Sequence, residues 1–386
     1  MVHAAVLHDS GRTPPYATSR PLVLEDLTLA PPGRGEVLLD LAYAGLCHSD
    51  LSVVDGARPR PVPMVLGHEA SGVVAEVGPG VTDLACGDHV VCTFVPACGA
   101  CPPCVDGRPA LCRPGAAANT AGTLLRGGRP FRRADGQPLH QHLGISGFAR
   151  QTVVSRESLV RVDADLPLDV AVLFGCGVLT GAGAVQNAAR VRAGTSVAVF
   201  GLGGVGLSAL LAALAAGAYP VIAVDVLPEK LALAAALGAH HTVRAGTDDT
   251  RAQIRELTGG GAETVVESVG NERVLAEAYA VTARGGTTVT VGLPHPQRDL
   301  SIPAVSLVAE ERTLRGSYLG SAVPARDIPR LIRMYRAGLL PVDRLVSRHY
   351  PLDEVNEALD ALRAGEVARA LLDLRTTPHT PDPEDR

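Results

Sequence analysis

Four cysteines stand close together at Cys98, Cys101, Cys104 and Cys112, spaced C-x2-C-x2-C-x7-C. Four thiolates at this spacing can surround one tetrahedral Zn²⁺ with no further ligand. Such a closed site is structural, because no coordination position is left for chemistry. The other reading of the pattern is a disulfide cluster or a reactive thiol patch, which calls for an oxidising compartment that nothing else in the chain signals. Three further segments hold metal-ligating types: Gly45-Leu-Cys47-His48-Ser49-Asp50, Gly67-His68-Glu69 and Phe174-Gly-Cys176-Gly. Cys47, His68 and Cys176 together supply two thiolates and one imidazole, leaving one position open for water or substrate. Sequence distance alone does not bring them together. Taken singly, Cys47 and Cys176 read equally as small buried residues and His68 as a turn histidine.

A second chemistry lies in Gly201-Leu-Gly-Gly-Val-Gly206, a G-x-G-x-x-G motif. It follows the apolar run Ser196–Phe200 and opens a helix over Val205–Ala216, the context that gives the motif meaning. Gly201 permits the tight turn, Gly203 lets backbone approach a pyrophosphate, and Gly206 lets helix and strand pack closely. Gly204 and Val205 complete the loop, where free N–H groups and the positive end of the helix dipole face the phosphates. The next strand, Val221–Asp225, ends in an acid nineteen residues beyond Gly206. A carboxylate there accepts hydrogen bonds from ribose hydroxyls and repels a 2′-phosphate, which favours NAD over NADP.

These groups need elements to carry them. The chain has 386 residues, enough for two domains with separate cores. A net charge of -5 argues against a broad basic surface for nucleic acid or anionic membrane. With no tryptophan and few aromatics, the core must rest on Ala, Val and Leu. The N-terminus lacks the basic start and long apolar run of a signal peptide, and a cytoplasmic location is the default expectation. Residues 1 to about 175 read as β-rich, with strands such as Glu36–Tyr43 and Gly72–Val77 separated by Gly/Pro turns. Residues 113 to 143 read as a long surface excursion with little periodicity.

From Ser196 strands alternate with helices: Ser196–Phe200, Val221–Asp225, His241–Val243, Thr264–Ser268, Thr287–Val291 and Arg312–Ser317, with helices such as Pro228–Leu237 and Glu272–Thr282 between them. Six alternating strands predict a doubly wound parallel sheet. Beyond residue 320 a helix near Ala325–Ala337, a strand near Val346–Tyr350 and a helix near Val355–Ala364 are expected, then a proline-rich acidic tail from 376 to 386.

Cys47-His-Ser-Asp, Gly67-His-Glu, the four-cysteine lobe, Gly175-Cys-Gly and the glycine motif occur in an order and spacing that resembles the zinc-dependent alcohol dehydrogenases of the medium-chain dehydrogenase/reductase family. The resemblance spans about residues 1 to 375. The region Phe174–Asp225 is most similar to bacterial aryl-alcohol (benzyl alcohol) dehydrogenases, and the 113–143 excursion to the long-chain, dimeric branch. The resemblance implies a β-rich GroES-like catalytic domain (1–178, with the zinc lobe at 95–113), a six-stranded Rossmann domain (179–319) and a C-terminal segment (320–375) that completes the catalytic domain.

It further implies that Cys47, His68 and Cys176 bind a catalytic zinc and the four-cysteine lobe a structural one. Asp50 orients His68, Ser49 accepts and passes on the alcohol proton, and Glu69 is an acid that transiently approaches the metal. Arg369 matches a basic residue near that acid and the cofactor phosphate, His48 a pyrophosphate contact, Lys230 a ribose contact and Thr180 a contact on the nicotinamide side. Phe94, His142, Leu143, Leu293 and Tyr318 match substrate-pocket positions.

The chemistry implied is hydride transfer between a primary alcohol, aromatic or medium-sized and apolar, and NAD, in a homodimer, with a tetramer as the alternative assembly. Thiol-adduct formaldehyde oxidation and a non-redox zinc/NAD lyase or cyclase are the alternatives. Two departures stand out. Ser52 occupies the place where many relatives end the proton relay in a histidine, so the relay must use the cofactor ribose and water, or Ser52. His142 stands where an apolar residue is common, and faces either a polar substrate group or solvent.

Overall fold

The computed structural model describes residues 1–246 and 249–375; the tail expected from 376 to 386 lies outside the described residues. The chain divides into two compact units, one built from 1–101, 112–175 and the segment from 346 onward, the other from 102–111 and 176–345. Residues 320–345, expected with the first unit, therefore pack with the second, as does the 102–111 stretch of the cysteine lobe.

The first unit holds two sheets. A five-stranded sheet runs in the order Phe131–Arg132, Leu22–Leu29, Val2–Leu7, Met64–Val65, His140–Gln141. The second runs Leu159–Val162, His89–Cys92, Ala70–Val77, Glu36–Gly45, Arg369–Asp373, Val346–Pro351, with Gln151–Ser155 also paired to Glu36–Gly45. Glu36–Gly45 forms a strand because Val37, Leu39 and Leu41 alternate inward, each buried, before the strand becomes buried throughout. Its end pairs with the C-terminal strand through Leu371 opposite Gly45 and Leu372 opposite Ala44. The same end is laced to the beginning of the chain. Asp360 accepts from Tyr16 N and Ala17 N, both at 2.8 Å, and Asn356 exchanges hydrogen bonds with both backbone groups of Leu22.

Residues 113–143 differ from the sequence expectation. Arg113–Ala121 is a helix whose buried face is Gly115, Ala118 and Asn119, and Phe131 and Leu139 are fully buried among Val2, Val6, Leu27 and Val65. The helix shows no apolar period because its inner face is made of small and amide side chains. The Asn119 amide donates to Phe94 O at 2.7 Å, so a hydrogen bond does there what a leucine does elsewhere.

The second unit is built on a six-stranded parallel sheet: Val197–Phe200, Val221–Asp225, His241–Arg244, Ala262–Glu267, Thr282–Thr290 and Thr313–Gly316. Numbered by chain order, they lie side by side as third, second, first, fourth, fifth, sixth. This is the order of a doubly wound dinucleotide fold, whose chain reverses direction beside the first strand. The two central strands Val197–Phe200 and Val221–Asp225 are buried along their whole length, as strands covered on both faces must be. Phe200, Ile222, Val224, Val265 and Ile254 form the core on one side of the sheet. The fifth strand begins five residues earlier than its apolar alternation suggests; Arg284-Gly285-Gly286 interrupts the pattern, and its pairing with the fourth strand slips there.

Among the described residues no single helix is long and apolar enough to cross a membrane.

Candidate active site

The first element of the candidate site is the helix His48–Val54. Its N-terminus is fixed by Asp50, whose Oδ2 accepts from Cys47 N at 3.0 Å. The other carboxylate oxygen, Oδ1, accepts from His68 Nδ1 at 2.9 Å. One buried carboxylate therefore ties together the backbone of Cys47 and the ring of His68. The bond also sets the tautomer of the neutral ring: with the proton on Nδ1, Nε2 is the nitrogen left to bind a metal. Nε2 is buried and makes no hydrogen bond, and Glu69 Oε1, 3.7 Å away, is also buried and unpaired. Two orphaned acceptors side by side are costly unless a cation joins them.

Cys47, His68, Glu69 and Cys176 each present a ligand atom, all within 4.8 Å of one another. Cys176 is the residue peptide-bonded to Gly175, and it starts the helix Gly177–Gly183. Gly175 is required here, since a Cβ would meet Cys92 O at 2.4 Å. Two sulfurs and an imidazole nitrogen make a donor set that suits Zn²⁺, so the residues fit the metal that the sequence implies.

The buried charges of this cluster act strongly on one another. Burial works against ionisation of Asp50, but His68 and His142 outweigh it and hold the carboxyl below the usual range. Burial lowers His68, while Asp50 and Cys47 more than compensate, so its pKa stands well above the ordinary value. Burial raises Glu69, with Arg369 opposing. Arg369, on the C-terminal strand, is buried and pairs directly with Glu69 Oε2. Gly45 makes room for this pair, because a Cβ there would lie 2.3 Å from Glu69 Oε2.

His142 does not face solvent. It is 1 % exposed, with Nδ1 3.3 Å from Asp50 Oδ1 and its ring edge-on to His68 at 5.6 Å. Burial lowers its pKa, with Asp50 opposing, which favours the neutral ring. Phe94 packs edge-on against His68 as well, at 5.6 Å. Leu143 is buried, whereas Leu293 and Tyr318 are half open to solvent at 49 % and 38 %. Ser49 Oγ lies 3.8 Å from Cys47 Sγ. The Ser52 hydroxyl donates to Ser49 O at 2.8 Å, so its proton is committed to the helix backbone. His48 is exposed.

The second cluster brings together Cys98, Cys101, Cys104 and Cys112, again within 4.8 Å. Backbone N–H groups of Cys98 and Gly115 point at Cys112 Sγ (3.2 and 3.4 Å), and that of Cys101 at Cys98 Sγ (3.4 Å). Donors aimed at sulfur favour the thiolate form that a metal needs. Cys86, exposed, and Cys92, buried and pushed up to about 12 by that burial, stand outside both clusters.

In the second unit Gly201 adopts φ +85° and a Cβ there would strike Val269, while a Cβ on Gly206 would sit 1.8 Å from Gly201 O. These two glycines are demanded by the loop itself. At Gly203 no protein atom lies within 4 Å of a Cβ position. The space it leaves is open, as expected of a backbone that must approach a ligand. Asp225 closes the loop: Oδ2 accepts from Leu202 N at 2.7 Å and Oδ1 from Leu227 N at 3.0 Å. A carboxylate has about four acceptor sites, so two remain for ribose hydroxyls. Lys230 lies half-buried on the helix Pro228–Ala236 that follows, and Thr180 is buried on Gly177–Gly183. The glycine loop and Asp225 thus fit a dinucleotide.

The sequence reading missed Glu267, a fully buried acid at the end of the fourth strand that accepts from Val269 N, Gly270 N and the Thr290 hydroxyl. An acid closing the apolar run Thr264–Val266 was the available signal.

Comparison with known proteins settles the family. Residues 33–164 match the alcohol dehydrogenase GroES-like domain, and residues 204–337 match the zinc-binding dehydrogenase domain. The NDMA-dependent alcohol dehydrogenase of Amycolatopsis methanolica is 42% identical over 377 residues, 96% of this chain and 98% of that one. The chain belongs to the zinc-binding alcohol dehydrogenases. A solved zinc-binding alcohol dehydrogenase domain protein from Burkholderia ambifaria shares 40% identity with a TM-score of 0.91, covering 97% of this chain and 99% of that one. The benzyl alcohol dehydrogenase of Acinetobacter calcoaceticus shares 34% with a TM-score of 0.88, at the same coverage. This dehydrogenase is accordingly a zinc- and nicotinamide-dependent oxidoreductase of the alcohol/aldehyde class, with a GroES-like part and a Rossmann part.

Proposed function

We propose that the dehydrogenase oxidises primary alcohols, aromatic or medium-sized and apolar, to aldehydes, with NAD rather than NADP as hydride acceptor. The observation that carries the reading is the orphaned His68 Nε2, aimed into a cluster with the Cys47 and Cys176 sulfurs. Cys47, His68 and Cys176 would hold the catalytic zinc, with Glu69 a neighbour able to approach it; Cys98, Cys101, Cys104 and Cys112 would hold the structural zinc. When bound, the metal supplies Lewis acidity at the alcohol oxygen and the dinucleotide supplies the hydride acceptor.

The protein's own groups do the rest. Asp50 keeps His68 in the tautomer that leaves Nε2 available. Arg369 neutralises Glu69, so the acid does not stand as an uncompensated buried charge. Phe94 and Leu143 exclude water and suit an apolar substrate body. Ser49 Oγ takes the alcohol proton and hands it onward. The Ser52 hydroxyl donates to Ser49 O, and a bound dinucleotide would supply a ribose hydroxyl, with water, as the onward acceptor. Asp225 selects the ribose with a free 2′-hydroxyl, and Lys230 and His48 are assigned to ribose and pyrophosphate. Thr180, Leu293 and Tyr318 are assigned to the nicotinamide side and the pocket.

Catalysis is assigned to a domain of residues 1–178 with 346–375, and dinucleotide binding to 179–345, since 320–345 pack with the unit built on the six-stranded sheet. We further propose a homodimer working in the cytoplasm, which rests on the family resemblance and on metal sites that require reduced cysteines.

The test is zinc content together with turnover of benzyl, cinnamyl and aliphatic alcohols, read as NADH formation and, in parallel, with NDMA present, because the Amycolatopsis relative is named for dependence on it. About two zincs per chain and oxidation of the aromatic alcohols are expected. Cys47→Ala or Cys176→Ala should abolish turnover in a folded protein, and retention of most activity in either would sink the metal assignment. Saturation by NADPH at lower concentration than NADH would reverse the argument from Asp225.

A further inference from the structure

The helix that starts at Cys176 does not end as an ordinary α-helix. Gly177–Gly183 continues into a π-helix over Ala184–Ala189. A π-helical turn holds an extra residue and rotates those after it, and such turns recur at functional sites. Here it aims Asn187. The Asn187 side-chain amide donates to Gly320 O and to Asp327 Oδ2, both at 3.3 Å.

Gly320 lies in an unusual turn. Leu319, Gly320 and Ser321 are all left-handed, with φ of 50°, 66° and 50°. Glycine adopts this freely, but leucine and serine do so under strain. Strained backbone persists only where its surroundings over-determine it. Here they do. Gly183 and Gly320 meet backbone to backbone: a Cβ on Gly183 would lie 2.3 Å from Gly320 O, and one on Gly320 the same distance from Leu179 O. Ser317 and Ser321 share a hydrogen bond at 3.0 Å. Asp327, nearly buried, accepts from Val323 N and Arg326 as well as from Asn187. The same helix reaches the glycine loop's own helix, since a Cβ on Gly181 would lie 2.2 Å from Val205 O.

The turn follows the carboxyl end of the strand Thr313–Gly316, and Ser317 N donates to Thr290 O at the carboxyl end of the neighbouring strand. Ligands of open α/β sheets bind outside the carboxyl ends of the strands, one mononucleotide half to each half of the sheet. With the pyrophosphate on Gly201–Gly206, the fourth to sixth strands serve the nicotinamide half.

We propose that Asn187 is a positioning residue for that half: the π-helix registers its amide so that it holds the Leu319–Ser321 turn in the shape that receives the nicotinamide end of the dinucleotide. The proposal rests on the dinucleotide reading above.

The test compares two ligands on the purified protein, with no turnover required. NADH carries both halves; ADP-ribose carries the adenine half and pyrophosphate and lacks the nicotinamide ring. Asn187→Ala should weaken NADH binding roughly five- to tenfold, the worth of one hydrogen bond. ADP-ribose affinity should stay within about twofold of wild type. An equal loss for both ligands would mean general loosening, and no loss for either would mean that the amide is idle; each overturns the proposal. Wild-type protein that binds neither ligand would sink the underlying dinucleotide reading instead. If Asn187→Ala does not fold, Asn187→Gln keeps an amide but displaces it by one carbon. The same selective loss is then expected, and unchanged NADH affinity overturns the proposal.

Discussion

Replacing Asp50 by Asn changes one atom and no volume, yet it should weaken zinc binding at the catalytic cluster. Asp50 is 0 % exposed, and both of its oxygens accept: Oδ1 from His68 Nδ1 at 2.9 Å, Oδ2 from Cys47 N at 3.0 Å. Asparagine offers one acceptor and one NH₂. If its oxygen serves Cys47 N, the NH₂ meets the His68 Nδ1–H donor; if it serves His68, the NH₂ meets the Cys47 amide. Either way two donors face each other without water, a penalty of about 1–3 kcal/mol. His68 can escape by moving its proton to Nε2, but that blocks the metal. Loss of such a supporting group lowers metal affinity by about 10–100-fold, or about 1.4–2.7 kcal/mol, which lies inside the penalty just estimated. The assay is competition for zinc against a chromophoric chelator, with the four-cysteine site as internal reference. The weaker of the two bound zincs should shift and the other should not. An Asn variant that holds both zincs as tightly as wild type would refute the reasoning that Asp50 sets the His68 tautomer.

Cys101→Ala should remove one zinc equivalent and lower the melting temperature while leaving the catalytic cluster able to bind; zinc counting and thermal denaturation check this. Ser52→Ala should change turnover less than about twofold, since loss of a backbone-bound hydroxyl on a helix is small; a large drop would return Ser52 to the proton path. Gly206→Ala should abolish dinucleotide binding because its Cβ would overlap Gly201 O, whereas Gly203→Ala should leave the fold intact and weaken binding alone; melting curves with and without NADH separate the two. Asp327 is held below the usual carboxyl range: burial opposes this, and Arg326 and the Val323 amide prevail. A carboxyl lowered on folding contributes stability above its unfolded pKa of about 3.9 and loses it as pH falls through the folded value. The stability gap between wild type and Asp327→Asn should therefore be constant near neutrality and narrow below about pH 4; a gap that widens in acid would contradict the assignment.

What could be read from the sequence was chemistry with local grammar. The glycine loop, its preceding strand and Asp225 lie within thirty residues, and each step has a short-range physical cause. The four-cysteine lobe is likewise local. Glu69 and Arg369, by contrast, are separated by 300 residues and meet only because Arg369–Asp373 pairs with the strand ending at Gly45. Nothing in either segment alone reports that register. The face of Arg113–Ala121 was hidden because glycine, alanine and asparagine carry no hydrophobic period. The π-helix was hidden for a different reason: Ala184-Val-Gln-Asn-Ala-Ala189 has the composition of any helix, and nothing in it marks the extra residue of the turn. His142 illustrates a third limit. Its type was visible, but its side chain could be assigned to Asp50 only once both were placed.

The pairing of the C-terminal strand with Glu36–Gly45 also orders the birth of the molecule. Residues 176–345 are contiguous and can close as soon as they leave the ribosome, apart from the short lobe segment already made. The unit whose parts flank it in sequence cannot. Its central sheet lacks Arg369–Asp373, its first residues lack Asp360 and Asn356, and Glu69 lacks its counter-charge until the last few tens of residues are synthesised. At about 5–20 residues per second that is a wait of tens of seconds, during which the Tyr43–Gly45 end of that strand, beyond its pairing with Gln151–Ser155, stands open to wrong partners. The unit that is contiguous in sequence can thus be completed before the unit whose parts flank it.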